Sequence, residues 1–155
     1  AGGCRVAAIA IKAAQRKDFK IGLQVMDYAA INNYTPFLDE EKTAERSRAF
    51  SLLYADGDIE LLRDPLVSPA YAAPEQLANQ PRTLIINAAK CPFCEINEDY
   101  GKRLAEAGCE VKMKRFLNSR HGFTVRLVDE WREAQELIIH EILDAANTGT
   151  MTTSI

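Results

Sequence analysis

The chain has 155 residues, about the length of one domain, and its 47% hydrophobic and 26% charged side chains are typical of a globular protein. A net charge of −3, without a basic block, argues against a nucleic-acid-binding surface. No apolar run approaches the roughly 20 residues that span a bilayer, and the first residues lack the pattern of a secretory signal. Four cysteines do not suggest a disulfide scaffold, so we predict a cytoplasmic location.

The first half of the chain predicts one helix, one strand and a long polar insert. Residues 3–17 carry small apolar side chains on most faces, which predicts a helix packed within a layer. Residues 21–28, IGLQVMDY, follow as a short apolar strand. Residues 31–63 are polar and helix-prone, and we interpret them as a lid-like insert between two core strands. Residues 64–81 hold four of the six prolines, which predicts an irregular loop.

The second half predicts alternating strands and helices. TLIINA at 83–88 is typical of a strand buried on both faces, and EVKMKRF at 110–116 of a strand with one wet face. Between them, residues 98–107 form a predicted helix. A last helix is predicted at about 125–146, with its apolar stripe at 127, 131, 134, 138, 142 and 145, before a flexible tail at 147–155. This order predicts a single α/β domain over residues 1–146 with a mostly parallel sheet.

One loop of this pattern carries a candidate catalytic base. In an open parallel sheet, reactive groups gather in loops at the carboxyl ends of the strands. The loop at 117–123 contains His121 followed by Gly122, and an imidazole there can act as a general base near neutral pH. The alternative is a histidine that only caps a turn.

Several short stretches together resemble a known enzyme family. They are DPLVSP at 64–69, LII at 84–86, Tyr100 with Leu104, Ala107-Gly108, KRF at 114–116 and HGF at 121–123. The set resembles the C-terminal half of the hormone-sensitive-lipase-like, bacterial acetyl-esterase group of α/β-hydrolases, and the resemblance runs to about residue 146. It implies a three-layer α/β-hydrolase fold, a serine carboxylesterase acting on small acyl esters, and no cofactor or metal.

The start of the chain carries part of the same resemblance. Ala1-Gly2-Gly3 is similar to the end of the family's nucleophile motif, Gly-Asp-Ser-Ala-Gly-Gly. This implies a serine directly before Ala1, with the Ala1 N–H as an oxyanion-hole donor and His121 as the base. The upstream half of the hydrolase would supply the serine and the other donors, so we expect the chain alone to be inert. An isolated half-sheet would also expose an edge, so a homo-oligomer is possible.

The catalytic acid of the family is missing from its expected place. Where the family has an aspartate in an Asp-Pro-Leu type of motif, this chain has Cys91-Pro92-Phe93. A thiol does not replace the carboxylate, whose loss costs about ten-thousandfold in rate. Glu95 is the nearest acid and is the alternative partner of His121. If neither residue serves, the fold is a catalytically impaired hydrolase that acts as a binding module.

The sequence Cys91-Pro92-Phe93-Cys94 also resembles the CxxC motif of glutaredoxins and thioredoxins, which gives a thiol-disulfide redox protein as a further alternative. Those folds place a cis-proline downstream of the motif, and no proline follows Pro92. A zinc site is not predicted, because Cys4 and Cys109 are remote in sequence and no second CxxC completes a set of ligands. Both are interpreted as core residues.

Overall fold

In the computed structural model, which describes residues 2–17, 19–38 and 45–150, helices alternate with strands along the chain. The helices and strands are α1 (Gly2–Arg16), β1 (Leu23–Asp27), α2 (Thr35–Leu38), α3 (Glu45–Tyr54), α4 (Pro74–Leu77), β2 (Arg82–Ala88), α5 (Cys94–Glu106), β3 (Val111–Phe116), α6 (Phe123–Arg126) and α7 (Trp131–Thr150). Two 3-10 turns, Glu60–Arg63 and Pro69–Tyr71, lie between α3 and α4. Within the described ranges, no helix is long and apolar enough to cross a membrane.

The three strands form one parallel sheet in the order β1-β2-β3, which confirms the predicted α/β architecture. Every residue of β2 from Thr83 to Ala88 is buried, as its continuous apolar run predicts. Because parallel strands point the same way, the loops after Asp27, Ala88 and Phe116 all begin at one edge of the sheet. This carboxyl edge is where the sequence predicts the chemistry.

Helices cover both faces of the sheet and complete the predicted three layers. One face of the sheet packs on α1 and α5 through Ala7, Ile11, Met26, Ile85, Tyr100 and Leu104. The other face packs on α6 and α7 through Leu84, Ile86, Ala88, Phe116, Phe123 and Ala134. At its start, α1 approaches the loop after β1 so closely that a Cβ at Gly3 would lie 2.5 Å from the Cβ of Ala29.

The last helix differs from its prediction in position. Leu127 and Asp129 have φ values of 57° and 54°, in the left-handed region, so a single α-helix cannot run through them. The short α6 ends at Arg126, and α7 begins only at Trp131. At its other end α7 continues to Thr150, so the first four residues of the predicted tail are helical, and residues 151–155 lie outside the described ranges.

The predicted apolar stripe of this helix is wrong at two positions. Leu127 is 54% exposed and Ile142 is 49% exposed. The buried residue near the end of α7 is instead Glu141, whose carboxylate pairs with Arg82 of β2 and Lys112 of β3. Helical spacing alone cannot show that two cations from the sheet neutralise a buried acid.

Three smaller predictions also need correction. The helix predicted from residue 98 begins at Cys94. Lys112 to Arg115 of β3 are all exposed, on both faces of the strand, because β3 lies at the edge of the sheet formed by the described residues. The loop at 64–81 contains α4 and a 3-10 turn, so it is not irregular throughout. The insert at 31–63 contains α2, α3 and the 3-10 turn Glu60–Arg63 joined by loops, and its residues 39–44 lie outside the described ranges.

Candidate active site

His121 lies at the carboxyl edge of the sheet, in the loop between β3 and α6. Gly122 follows it with φ 85°, a left-handed turn that lets the chain reverse directly into α6. His121 is exposed to solvent on one side, and the partial desolvation of its ring lowers its pKa, which favours the neutral imidazole at pH 7. A neutral imidazole is the form that a general base requires.

Cys91 is in direct contact with this imidazole. It lies in the loop after β2, and its Sγ is 3.3 Å from His121 Nδ1. Only 5% of Cys91 is exposed, and this burial raises the pKa of its thiol, so the sulfur keeps its proton at neutral pH. Because thiol sulfur is a weak acceptor and an imidazole nitrogen is a good one, we expect the S–H to donate to Nδ1.

Two aromatic rings flank the imidazole. The ring of Tyr28 stands edge-on to it, with 4.8 Å between centroids, and the ring of Phe93 does so at 5.5 Å. Both are partly buried side chains that pack on the α6/α7 face of the sheet. The imidazole is therefore held by two rings and one thiol, without a carboxylate among these contacts.

A polar cluster beside the imidazole was not predicted from the sequence. Thr124 Oγ1 donates to Asp27 Oδ2 at 2.5 Å and lies 2.6 Å from the hydroxyl oxygen of Tyr28. Burial raises the pKa of Asp27 to about 6, against the opposing effect of its hydrogen bonds. The available signal was an acid at the carboxyl end of an apolar strand, where polar side chains of α/β sheets tend to be functional.

The two other predicted site residues are not brought to His121 by the described contacts. Glu95 is exposed on the first turn of α5, and its charge acts on the guanidinium of Arg115. Its role as the partner of His121 therefore remains a prediction. Ala1, the predicted oxyanion-hole donor, lies outside the described residues.

The geometry of the CxxC motif does not favour redox chemistry. Cys94 is the first residue of α5, and its backbone N–H donates to the carbonyl of Cys91 at 3.1 Å. Burial and the nearby Glu98 raise the pKa of Cys94, and burial raises that of Cys91, whereas redox thiols have lowered pKa values. Among the described residues, no group of three His, Cys, Asp or Glu side chains is arranged to hold a metal ion.

Comparison with known proteins identifies the family. A family model described as an alpha/beta hydrolase fold matches residues 1–125. The chain belongs to this family. A search of curated proteins gives no significant match for the hydrolase chain.

Solved esterase structures are similar to this hydrolase chain. Carboxyl esterase 2 of the mycorrhizal fungus Tuber melanosporum is 27% identical with a TM-score of 0.82, over 94% of this chain and 52% of that chain. An esterase of Rhizomucor miehei is 24% identical with a TM-score of 0.78, over 95% and 50%. An esterase of Pyrobaculum calidifontis is 24% identical with a TM-score of 0.75, over 99% and 50%. The hydrolase chain thus spans about half the length of these structures.

Proposed function

We propose that the chain is part of a serine carboxylesterase that hydrolyses small acyl esters, with His121 as its general base. The observation that carries this proposal is the place of His121, a neutral imidazole at the carboxyl edge of a parallel sheet in a chain of the α/β-hydrolase family. The similarity to a fungal carboxyl esterase supports esters as the substrate class.

The proposed reaction is acyl transfer through a serine located ahead of α1. The serine oxygen attacks the ester carbonyl, while Nε2 of His121, in the ring tautomer that carries its proton on Nδ1, accepts the serine proton and returns it to the leaving alcohol. Water then attacks the acyl-enzyme with the same base. The N–H of Ala1 is the proposed oxyanion-hole donor, and residues 31–63 are proposed to cover the acyl pocket. The reaction requires no cofactor, and without the serine the 155 residues are expected to be inert.

The contact between Cys91 and His121 favours a second candidate, an impaired hydrolase fold that binds esters without turning them over. If the thiol donates to Nδ1, the ring proton resides on Nε2, which is then unable to accept a proton from serine. A triad with the wrong imidazole tautomer loses about ten-thousandfold in rate. Binding of the ester does not depend on this tautomer.

Hydrolysis of a chromogenic acetate ester by the full-length protein separates the two candidates. We expect turnover that falls about a hundredfold or more in His121→Ala, because the base is lost. His140→Ala is the matched control, since the His140 side chain is 72% exposed on α7. Turnover that is equal in wild type and His121→Ala contradicts the esterase proposal. Ester binding without turnover supports the binding module.

The proposal also includes a cytoplasmic location and a homo-oligomer. All four cysteines are free thiols, which suits a reducing, cytoplasmic compartment. A homo-oligomer is proposed because β1 offers an edge whose described strand partner lies on one side only. Light scattering of the 155-residue chain by itself tests the oligomer, and fractionation of cells tests the location.

A further inference from the structure

Tyr28 breaks the alternation of the strand that it follows. Val25 and Asp27 face α6 and α7, whereas Met26 between them faces α1 and α5. Continued alternation would turn Tyr28 toward α1. Its φ of 37° places it in the left-handed region, which is unfavourable for a residue with a side chain. This strained backbone directs the Tyr28 ring to the same face as Asp27.

Hydrogen bonds hold the Tyr28 side chain in this direction. Thr124 has one hydroxyl hydrogen, which it donates to Asp27, so the Tyr28 hydroxyl is the donor to Thr124. The second oxygen of Asp27, Oδ1, is buried without a hydrogen-bond partner. The three residues form a short directed chain of hydrogen bonds that ends on a carboxylate.

The ring of Tyr28 contacts the imidazole of His121, the proposed general base. Its centroid lies 4.8 Å from that of His121, and the two planes are at 68°. A carboxylate would hold Nδ1 through a strong charged hydrogen bond, but here the partner is the weaker thiol of Cys91. The direction of Nε2 therefore depends more on packing than in a triad with an aspartate.

We propose that Tyr28, locked by Thr124 and Asp27, is a positioning residue that fixes the ring plane of His121. The inference rests on the proposed function of His121 as general base. Proton transfer requires Nε2 within hydrogen-bond reach of the serine oxygen, and rotation of the ring away from that direction lowers the rate without changing how substrate binds.

Matched variants separate the effect of the Tyr28–Thr124–Asp27 hydrogen bonds from the effect of the Tyr28 ring. Tyr28→Phe keeps the ring and removes the donor to Thr124. Thr124→Val keeps the shape of Thr124 and removes the hydroxyl, while Thr124→Ser retains the hydroxyl and should restore wild-type behaviour. Tyr100→Phe makes the same chemical change on the α1/α5 face of the sheet, where the Tyr100 hydroxyl is buried without a hydrogen-bond partner among the described residues.

The test measures ester kinetics and the titration of His121 by NMR of its ring nitrogens, both on the full-length protein. We expect Tyr28→Phe and Thr124→Val to lower kcat about tenfold with KM changed less than about twofold. In both variants, the pKa of His121 should rise toward its ordinary value, because a loosened ring is less buried. Thr124→Ser and Tyr100→Phe should match wild type in both measurements.

Two results would overturn the positioning role. One is an unchanged His121 titration and kcat in Tyr28→Phe and Thr124→Val. The other is a lower kcat that accompanies lost thermal stability while the His121 titration stays that of wild type. If wild type hydrolyses no ester but Tyr28→Phe still shifts the titration of His121, the proposed function fails and the positioning role stands.

Discussion

Replacement of Cys91 by aspartate should raise the esterase activity of the full-length protein. Cys91 Sγ lies 3.3 Å from His121 Nδ1, and burial raises the pKa of the thiol, so the sulfur keeps its proton and we expect it to donate to the ring. A carboxylate in this place would accept the Nδ1 proton. That change leaves Nε2 free to act as a base and stabilises the imidazolium that forms when Nε2 takes the proton.

The expected gain follows from the cost of an absent carboxylate. Loss of the triad carboxylate costs about ten-thousandfold in kcat, or roughly 5 kcal/mol, which is the upper limit for Cys91→Asp. Cys91 is only 5% exposed, so an aspartate there is desolvated, and its own pKa rises. We therefore expect a gain of about a hundred- to a thousandfold, or roughly 3–4 kcal/mol of transition-state stabilisation.

The assay is the initial rate of hydrolysis of a chromogenic acetate ester between pH 6 and pH 9. Cys91→Asn is the matched control, because it has the shape of aspartate without its charge. A Cys91→Asp variant that is no faster than Cys91→Asn would refute the reasoning. A wild-type rate that collapses in Glu95→Gln would assign the acid role to Glu95 instead.

Three further predictions concern stability, each measured by urea unfolding. Folding raises the pKa of Asp27 from 3.8 to about 6, so its contribution is present below about pH 4 and is lost as pH rises through 6. The free energy of unfolding of Asp27→Asn should therefore exceed that of wild type by about 1–2 kcal/mol at pH 8, a figure reduced for the partial exposure of Asp27. Near pH 4 the two free energies should be equal. An equal difference at both pH values contradicts this prediction. Gly3→Ala should lower the free energy of unfolding by about 1–3 kcal/mol, because the new Cβ would lie 2.5 Å from the Cβ of Ala29. Gly2→Ala is the control and should not be destabilised, because no atom lies within 4 Å of its new Cβ. Glu141→Gln should lower the free energy of unfolding by about 1–3 kcal/mol, because it removes the acid that pairs with Lys112 and one of the three acids that pair with Arg82. A loss below about 0.5 kcal/mol would contradict the proposed pairing.

The sequence predicts the layers and the position of His121 well because both depend on strong local signals. The buried run of β2 needs no information beyond its apolar residues, and His121 stands in a loop that the strand pattern places at the carboxyl edge. The resemblance puts Cys91 at the position of the family's catalytic acid, and the structure places its Sγ 3.3 Å from His121 Nδ1. The role of Cys91 or Glu95 in that position stays a prediction.

The missed features depend on backbone conformation and on distant partners. The backbone of Leu127 is in the left-handed region, and a pattern of apolar residues at three- and four-residue steps does not reveal that the helix breaks there. Tyr28 likewise changes face through its φ, so strand alternation assigns it to the wrong layer. Thr124 and Asp27 are 97 positions apart, and only the fold shows that they share a hydrogen bond.

The two borders of the sheet differ in how readily they accept another strand. Along β3, Lys112, Lys114 and Arg115 form a row of exposed cations that are held in place by acids of α5 and α7. An incoming backbone would have to displace these ion pairs, which is how natural sheets discourage unwanted growth. Leu23 to Met26 of β1 carry no charge. Extension of this sheet is therefore directional, favoured beside β1 and opposed beside β3.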